Sequence, residues 1–190
     1  PKTLAAKEQD GVRFARSVGA ASLADLRARP AAELLAAVMN TGGWGYAPGL
    51  DNHFLPQPVS AYYAAGEQAK IPLLAGWNSS ELGMSIALNP RKPDVASFKA
   101  ELAKQFGARA SSAAAVYPAS SDDEAMQSAA DLASDLFISY STWKWMETHL
   151  QTAEAPVYRY RFDRVLPGDP GSRFGALHAV EIEYAFNTLE

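Results

Sequence analysis

Two stretches of the sequence hold residues that could share one catalytic task. Residues 71–81 read Ile-Pro-Leu-Leu-Ala-Gly-Trp-Asn-Ser-Ser-Glu, an apolar run followed by a loop that ends at the carboxylate of Glu81. Residues 175–182 read Gly-Ala-Leu-His-Ala-Val-Glu-Ile and place His178 after a turn of small residues. An acid just beyond a strand and a loop histidine far downstream are the second and third members of a Ser–acid–His triad in one of its chain orders.

In such a triad, His178 would act as the general base and Glu81 as the acid that orients it. Imidazole suits the base because it gains and loses a proton near neutral pH. The carboxylate would hold one tautomer of the ring and stabilise its cation. Each residue also has an ordinary interpretation. His178 could be a packed loop histidine bonded to a carbonyl group, and Glu81 a solvated or helix-capping carboxylate.

The first member of the triad, a serine in a G-x-S-x-G turn, has no candidate in this sequence. No such window occurs in the 190 residues. Ser79 and Ser80 adjoin Glu81, but they lack the flanking glycines of a strained nucleophile turn, so we expect them to be structural. The chain opens directly in a helical pattern without an initiator Met and stops soon after His178. We therefore expect both ends to be cuts through a larger protein that carries the nucleophile.

Other polar and aromatic residues are weaker candidates. Trp44, Tyr46 and Phe54 could line a pocket for the acyl or alcohol part of a substrate, although exposed aromatic loops more often pack locally. His53 and His149 show no metal-ligand spacing to each other or to His178. We expect His53 to lie in a loop and His149 near a helix C-terminus. No metal or cofactor is expected.

The composition restricts the class of protein. The chain is 48% hydrophobic and 20% charged, as in an ordinary globular protein, and its formal net charge is −4. A net negative charge without a Lys/Arg cluster argues against nucleic acid as a partner. No segment has the roughly 20 apolar residues of a membrane span. Cysteine is absent, so the compartment stays open, with a secreted or periplasmic location compatible.

The hydrophobic pattern predicts helices alternating with a few strands. Residues 71–76 form a short apolar run without alternation, which indicates a strand buried on both faces. Residues 157–162 alternate between apolar and basic side chains, which indicates a second strand. Helices are predicted at residues 4–18, 22–30, 31–39, 58–65, 94–106, 110–117 and 121–150. The last helix has an apolar stripe at Met126, Ala129, Ala133, Leu136, Phe137, Tyr140 and Trp143, with Asp135 beside it as a buried structural partner. This order of elements favours an α/β architecture whose sheet is incomplete.

These stretches together resemble the later half of the type-B carboxylesterases, the family of cholinesterases, bile-salt-type lipases and bacterial p-nitrobenzyl esterases. Five segments match in the family's order, from residues 51–56 through the acid strand and loop, the late helix and the following strand, to the histidine loop. The match departs from the family pattern at three positions. Leu82 separates the acid from Gly83, Ala179 stands where glycine is usual, and Glu183 stands where proline is usual.

The resemblance implies a fold, a domain and a set of roles. It implies part of an α/β-hydrolase fold, with residues 1–190 forming the C-terminal portion of one catalytic domain that is incomplete at both ends. Glu81 would be the triad acid and His178 the base. The serine and a glycine-rich oxyanion loop would lie in the missing N-terminal part of the same protein. The expected substrate is a small-molecule ester, and the 190 residues alone are expected to be inactive.

Three functions stay open at this point. A serine ester hydrolase fits the paired Glu81 and His178. A cholinesterase-like binding or adhesion module that has lost catalysis would keep the fold without the serine. A self-contained helical domain without any relation to hydrolases would unfold cooperatively on its own.

Overall fold

The computed structural model of the protein describes residues 1–40, 47–87, 89–168 and 172–189. The chain divides into two compact units, Pro1–Glu67 and Gln68–Glu190, which are described separately below. That residues 1–190 belong to one catalytic domain stays a prediction.

The first unit is helical in its described part. Its helices follow the sequence prediction closely: Thr3 caps the first by accepting from the N–H of Ala6, and Gly19 follows its end with a φ of +69°. Pro58 stands just before the last helix, where its missing N–H costs nothing. The helices are α1 (Leu4–Ser17), α2 (Leu23–Ala28), α3 (Ala31–Asn40) and α4 (Val59–Ala65).

The second unit contains both strands found in the described residues and the remaining helices. The strands are β1 (Leu73–Asn78) and β2 (Val157–Phe162), and the helices are α5 (Gly83–Ala87), α6 (Val95–Phe106), α7 (Ala110–Val116), α8 (Asp122–Ser134), α9 (Tyr140–Thr152) and α10 (Ile182–Phe186). The sequence prediction missed α5 and α10. Each has only five residues, which is too short for a helical repeat to show.

The two strands pair in parallel, so both end at the same edge of the sheet. Leu73 lies opposite Val157, and Asn78 lies opposite Phe162. Parallel neighbours need a long crossover, and helices α5 to α9 provide it. Helix α9 packs on β1, and the Nε2–H of His149 donates to the carbonyl oxygen of Ile71 at 2.9 Å. His149 thus lies in the last turn of its helix, as expected, and fixes the start of β1.

Burial of β1 differs from the sequence prediction. Ala75 and Asn78 are buried, but Leu74 is 69% exposed, so the expectation of a strand buried on both faces is wrong for this chain. The reason is that the sheet has two strands in the described residues, and two strands with one covering helix leave the other face uncovered.

The main hydrophobic core lies where α6, α7 and α8 meet. Phe98 and Leu102 of α6 pack against Ala113 of α7 and against Ala129 and Leu132 of α8. Small alanines at these contacts let the helix backbones approach closely. This core holds α8 against α6 and α7, and α8 in turn supports the loops described below.

The predicted long helix is interrupted by a π-helical turn, Asp135–Ser139, between α8 and α9. Because such a turn accommodates an extra residue, the side chains after it rotate away from the regular repeat. The predicted apolar stripe is therefore buried at Met126 and Ala129 but not beyond. Leu136, Tyr140 and Trp143 instead line an open groove of about 830 Å³.

The lengths of the helices also bear on membrane insertion. Among the described residues, no helix is long and apolar enough to cross a bilayer.

Candidate active site

Glu81 lies in the acid loop (residues 78–81), which leaves the carboxyl end of β1. Its side chain is 4% exposed. One carboxylate oxygen, Oε1, accepts the backbone N–H of Asn78 at 2.6 Å. The next residue, Leu82, donates its N–H to the hydroxyl oxygen of Ser134 at the end of α8. A buried carboxylate needs hydrogen-bond partners, and the bond from Asn78 also fixes the direction of this side chain, while the bond from Leu82 fixes the backbone beside it.

His178 lies in the histidine loop (residues 174–181) and meets Glu81. Its Nδ1 is 2.6 Å from the second carboxylate oxygen, Oε2. A carboxylate only accepts, so Nδ1 carries the proton, and the neutral ring keeps its lone pair on Nε2. The His178 side chain is 52% exposed. The arrangement can therefore take up a proton from a group that approaches Nε2 from outside.

The acid loop and the histidine loop are joined by main-chain hydrogen bonds. The N–H of Ser80 donates to the carbonyl oxygen of Ala176 at 2.9 Å, and the N–H of Ala176 donates to Oγ of Ser79 at 2.8 Å. Ser80 also forms a parallel bridge with Leu177. The hydroxyl of Ser79 thus has a structural role, as the sequence predicted, and Ser80 joins the loops through its main chain. These bonds extend the sheet pairing by a few residues and bring two distant parts of the chain together.

The histidine loop is held against α8 and turns through unusual backbone angles. Phe174 is 5% exposed and packs on Met126 and Ala130 of α8. Gly175 has a φ of +118°, and a Cβ there would lie 2.6 Å from Oγ of Ser79. Glycine is therefore required both by the backbone angle and by the close approach of the acid loop.

Ala179, directly after the histidine, is one of the departures from the family pattern, and the structure explains the usual glycine. Its φ is +69°, in the left-handed region. Residues other than glycine adopt this region at a cost of about 1–2 kcal/mol because Cβ crowds the following carbonyl. The chain keeps the turn nevertheless, so His178 retains its orientation.

Phe137 contacts the imidazole and was not found by sequence reasoning as a site residue. Its ring stands edge-on to His178, with 5.3 Å between centroids and 79° between planes. The π-helical turn places it there. One signal was present in the sequence: Leu136 and Phe137 are adjacent in the predicted apolar stripe, and adjacent residues cannot share one helix face.

The remaining predicted residues lie elsewhere. Trp44 and Tyr46 lie outside the described residues. Phe54 belongs to the first unit and is 89% exposed, and its role in a substrate pocket stays a prediction. His53 is an exposed loop residue, as expected, whose backbone N–H donates to Asp51. Two backbone N–H groups, of Leu55 and His53, lower the pKa of Asp51.

Asp135 is a structural partner, as the sequence predicted. It accepts a hydrogen bond from the hydroxyl of Tyr117 at 2.6 Å. Burial and this bond to Asp135 raise the pKa of Tyr117 above its usual value. In the described part of the chain, no cluster of three or more His, Cys, Asp or Glu side chains could hold a metal ion.

Comparisons with known proteins place this geometry in context. The sequence pattern of the Carboxylesterase family matches residues 5–190. Fumonisin B1 esterase from Sphingopyxis macrogoltabida is 32% identical over 154 residues, which span 75% of this chain and 25% of that protein. A solved structure of PNB esterase is 22% identical with a TM-score of 0.68, over 98% of this chain and 39% of its own. The structural likeness shows that the chain has part of the α/β-hydrolase fold.

Proposed function

The chain belongs to the carboxylesterase family, and on that basis we propose that it forms part of a serine hydrolase that cleaves small-molecule carboxylic esters. The observation that carries the proposal is the 2.6 Å contact between Nδ1 of His178 and the buried carboxylate of Glu81. Two residues far apart in the sequence meet, and their chain order, acid before histidine, is that of one type of Ser–acid–His triad, which supports the proposal. The chain spans 25% and 39% of the lengths of the two relatives described above.

The proposed mechanism assigns one task to each residue. A serine hydroxyl from the part of the protein outside this sequence gives its proton to Nε2 of His178 while its oxygen attacks the ester carbonyl. Glu81 stabilises the imidazolium that forms and holds the ring in one tautomer. The imidazolium then returns the proton to the departing alcohol, leaving an acyl-enzyme. Water then attacks the acyl-enzyme while His178 takes one of its protons, and the imidazolium returns that proton to the serine oxygen as the acyl–oxygen bond breaks, which releases the carboxylic acid and restores the serine.

The groups that stabilise the tetrahedral intermediate are proposed to lie in a part of the protein outside this sequence. Backbone N–H groups of an oxyanion loop, also outside this sequence, would stabilise the tetrahedral intermediate by about 3–4 kcal/mol per donor. On this proposal, the 190 residues alone are inactive because they lack the nucleophile.

The test uses the full-length protein and a p-nitrophenyl ester. We expect Glu81→Gln to lower kcat by about 10⁴-fold because it disturbs the tautomer and orientation of the base. We expect His178→Gln to lower kcat by about 10⁴- to 10⁶-fold because it removes the base. His53→Gln is the matched control, since His53 is an exposed loop histidine, and it should keep its activity.

Near-normal turnover by His178→Gln would exclude this mechanism. An inactive wild-type protein whose upstream sequence lacks the serine would instead support a non-catalytic binding module of the same fold.

A further inference from the structure

Asn78, the last residue of β1, lies buried between the two loops of the site. It is 2% exposed. A buried amide that lacks partners costs free energy, so its hydrogen bonds indicate what it is there to hold. No sequence pattern singled out this residue.

Asn78 bonds to both loops at once. Its backbone N–H donates to Oε1 of Glu81 at 2.6 Å. Its side-chain Nδ2 donates to the carbonyl oxygen of Leu177 at 2.7 Å and to the carboxylate of Glu181. Carbonyl and carboxylate oxygens only accept, so the amide nitrogen must face these two groups, and both of its hydrogens are used.

These hydrogen bonds connect Glu81, the proposed acid, to the loop that carries His178, the proposed base. The main chain of Asn78 fixes the carboxylate of Glu81, while its side chain fixes Leu177, the residue immediately before His178. One rigid strand end therefore sets the separation between the two members of the pair. A hydrogen bond of 2.6 Å tolerates little displacement, and a misplacement of about 1 Å can cost 10²-fold in rate.

We propose that Asn78 is a positioning residue that holds Glu81 and His178 in register, with Glu181 as its partner in the histidine loop. The proposal rests on the proposed function for its effect on catalysis. Asparagine is specifically required. Aspartate at this position could not donate to Leu177 and would oppose Glu181, and alanine would leave the carbonyl oxygen of Leu177 and the carboxylate of Glu181 unpaired.

The experiment compares Asn78→Ala with Ser128→Ala in the full-length protein. Ser128 is also buried, and its hydroxyl donates to the carbonyl oxygen of Pro118, so its loss matches the loss of a buried hydrogen bond away from the site. We expect Asn78→Ala to lower kcat for a p-nitrophenyl ester by about 10- to 100-fold with little change in KM. Ser128→Ala should lower the melting temperature but retain kcat.

A second readout follows the pair itself. The Nδ1 proton shared with Glu81 should give a strongly downfield proton NMR resonance, identified by its loss in His178→Gln. Asn78→Ala should broaden or shift this resonance, whereas Ser128→Ala should leave it in place. An unchanged resonance in Asn78→Ala, or a kcat equal to that of Ser128→Ala, would overturn the proposal.

A rescue test exchanges the hydrogen-bond donor and acceptor between positions 78 and 181. It also applies if Asn78→Ala does not fold. Asn78→Asp should be strongly impaired because two carboxylates then face each other. Adding Glu181→Gln supplies an amide that donates to the carboxylate introduced at position 78, so the double variant should recover several-fold in kcat and regain the resonance. Failure of this rescue while both variants stay folded would overturn the role of Glu181 as the partner, because the double variant restores the bond to position 181 but not the bond to Leu177.

The outcomes separate this proposal from the proposed function. If His178→Gln keeps its activity, the hydrolase mechanism fails, but the NMR resonance still decides whether Asn78 orients the pair. If His178→Gln is inactive and Asn78→Ala behaves like Ser128→Ala, the mechanism stands and the positioning role fails.

Discussion

The site has two halves, the acid half around Glu81 and the histidine half around His178, and the protein holds the first half more firmly than the second. The Glu81 side chain is 4% exposed, and both of its oxygens are bonded, one to Asn78 and one to His178. The His178 side chain is 52% exposed, with a hydrogen bond at one ring nitrogen and the edge of Phe137 against its ring. If the two residues act as we propose, the buried carboxylate of Glu81 is the fixed member of the pair and the half-exposed imidazole of His178 is the accessible one.

The strongest test of this difference removes each half in turn. Glu81→Ala and His178→Ala should both lower kcat by about 10⁴-fold, because each disables the same base. Glu81→Ala should also lower the free energy of unfolding by about 1–3 kcal/mol more than His178→Ala does, because it removes both hydrogen bonds of the carboxylate and leaves the buried N–H of Asn78 without a partner. Ester hydrolysis and urea unfolding of both variants measure the two effects. Equal losses of stability would contradict the comparison.

The next largest effect is expected where the two halves touch. In Gly175→Ala the new Cβ would enter the space of Ser79, and the φ of +118° would become strained. We expect the free energy of unfolding to fall by about 2–4 kcal/mol, from backbone strain and a lost hydrogen bond. Gly168→Ala is the control, since Gly168 has a φ of +77° but open space around it. If both variants lose the same stability by thermal denaturation, close approach is not what requires glycine at 175.

Weakening the less firmly held half should have a smaller effect. Phe137→Leu removes an edge-on ring contact, which contributes about 0.5–1.5 kcal/mol. We expect kcat to fall by about 2- to 10-fold as the imidazole gains freedom. Phe98→Leu changes a buried core ring of α6 and should lower stability without this loss of kcat. Steady-state kinetics of both variants measure the change in kcat. An unaltered kcat in Phe137→Leu would show that Glu81 orients the His178 imidazole without help from the Phe137 ring.

The smallest effect is expected just after the histidine. Ala179→Gly relieves the left-handed backbone angle but makes the unfolded chain more flexible, so the free energy of unfolding should rise by at most about 1 kcal/mol. The melting temperature should rise slightly and kcat should be unchanged. A lower melting temperature would show that the turn is held by contacts of the Ala179 methyl group.

Much of the secondary structure follows from local patterns. The alternation in residues 157–162 predicts β2 with its observed ends, and the apolar run in residues 71–76 predicts β1 two residues too early. That shift matters, because the strand continues to Asn78 and so carries this residue into the site. Hydrophobicity reports burial, whereas strand ends are set by hydrogen bonds to a neighbouring strand that a single segment does not reveal.

Two expectations failed because they depend on what packs against an element. Leu74 is exposed because no second layer in the described residues covers its face of β1, and the apolar stripe of the long helix loses its register at the π-helical turn. That turn brings Phe137 to His178. A regular repeat of about 3.6 residues cannot anticipate it.

The order of residue types along the chain determined which side chains were candidates, because a strand, a loop acid and a distant loop histidine leave local traces. Their contact was decided only by the tertiary structure, together with the contacts that Asn78, Glu181 and Phe137 make around them. Hydrogen bonds between Asn78 and Leu177, or a ring contact between Phe137 and His178, join residues that no local periodicity relates. Such contacts arise when parallel strands end at one edge and α8 supports both loops, and that is a property of the packed chain.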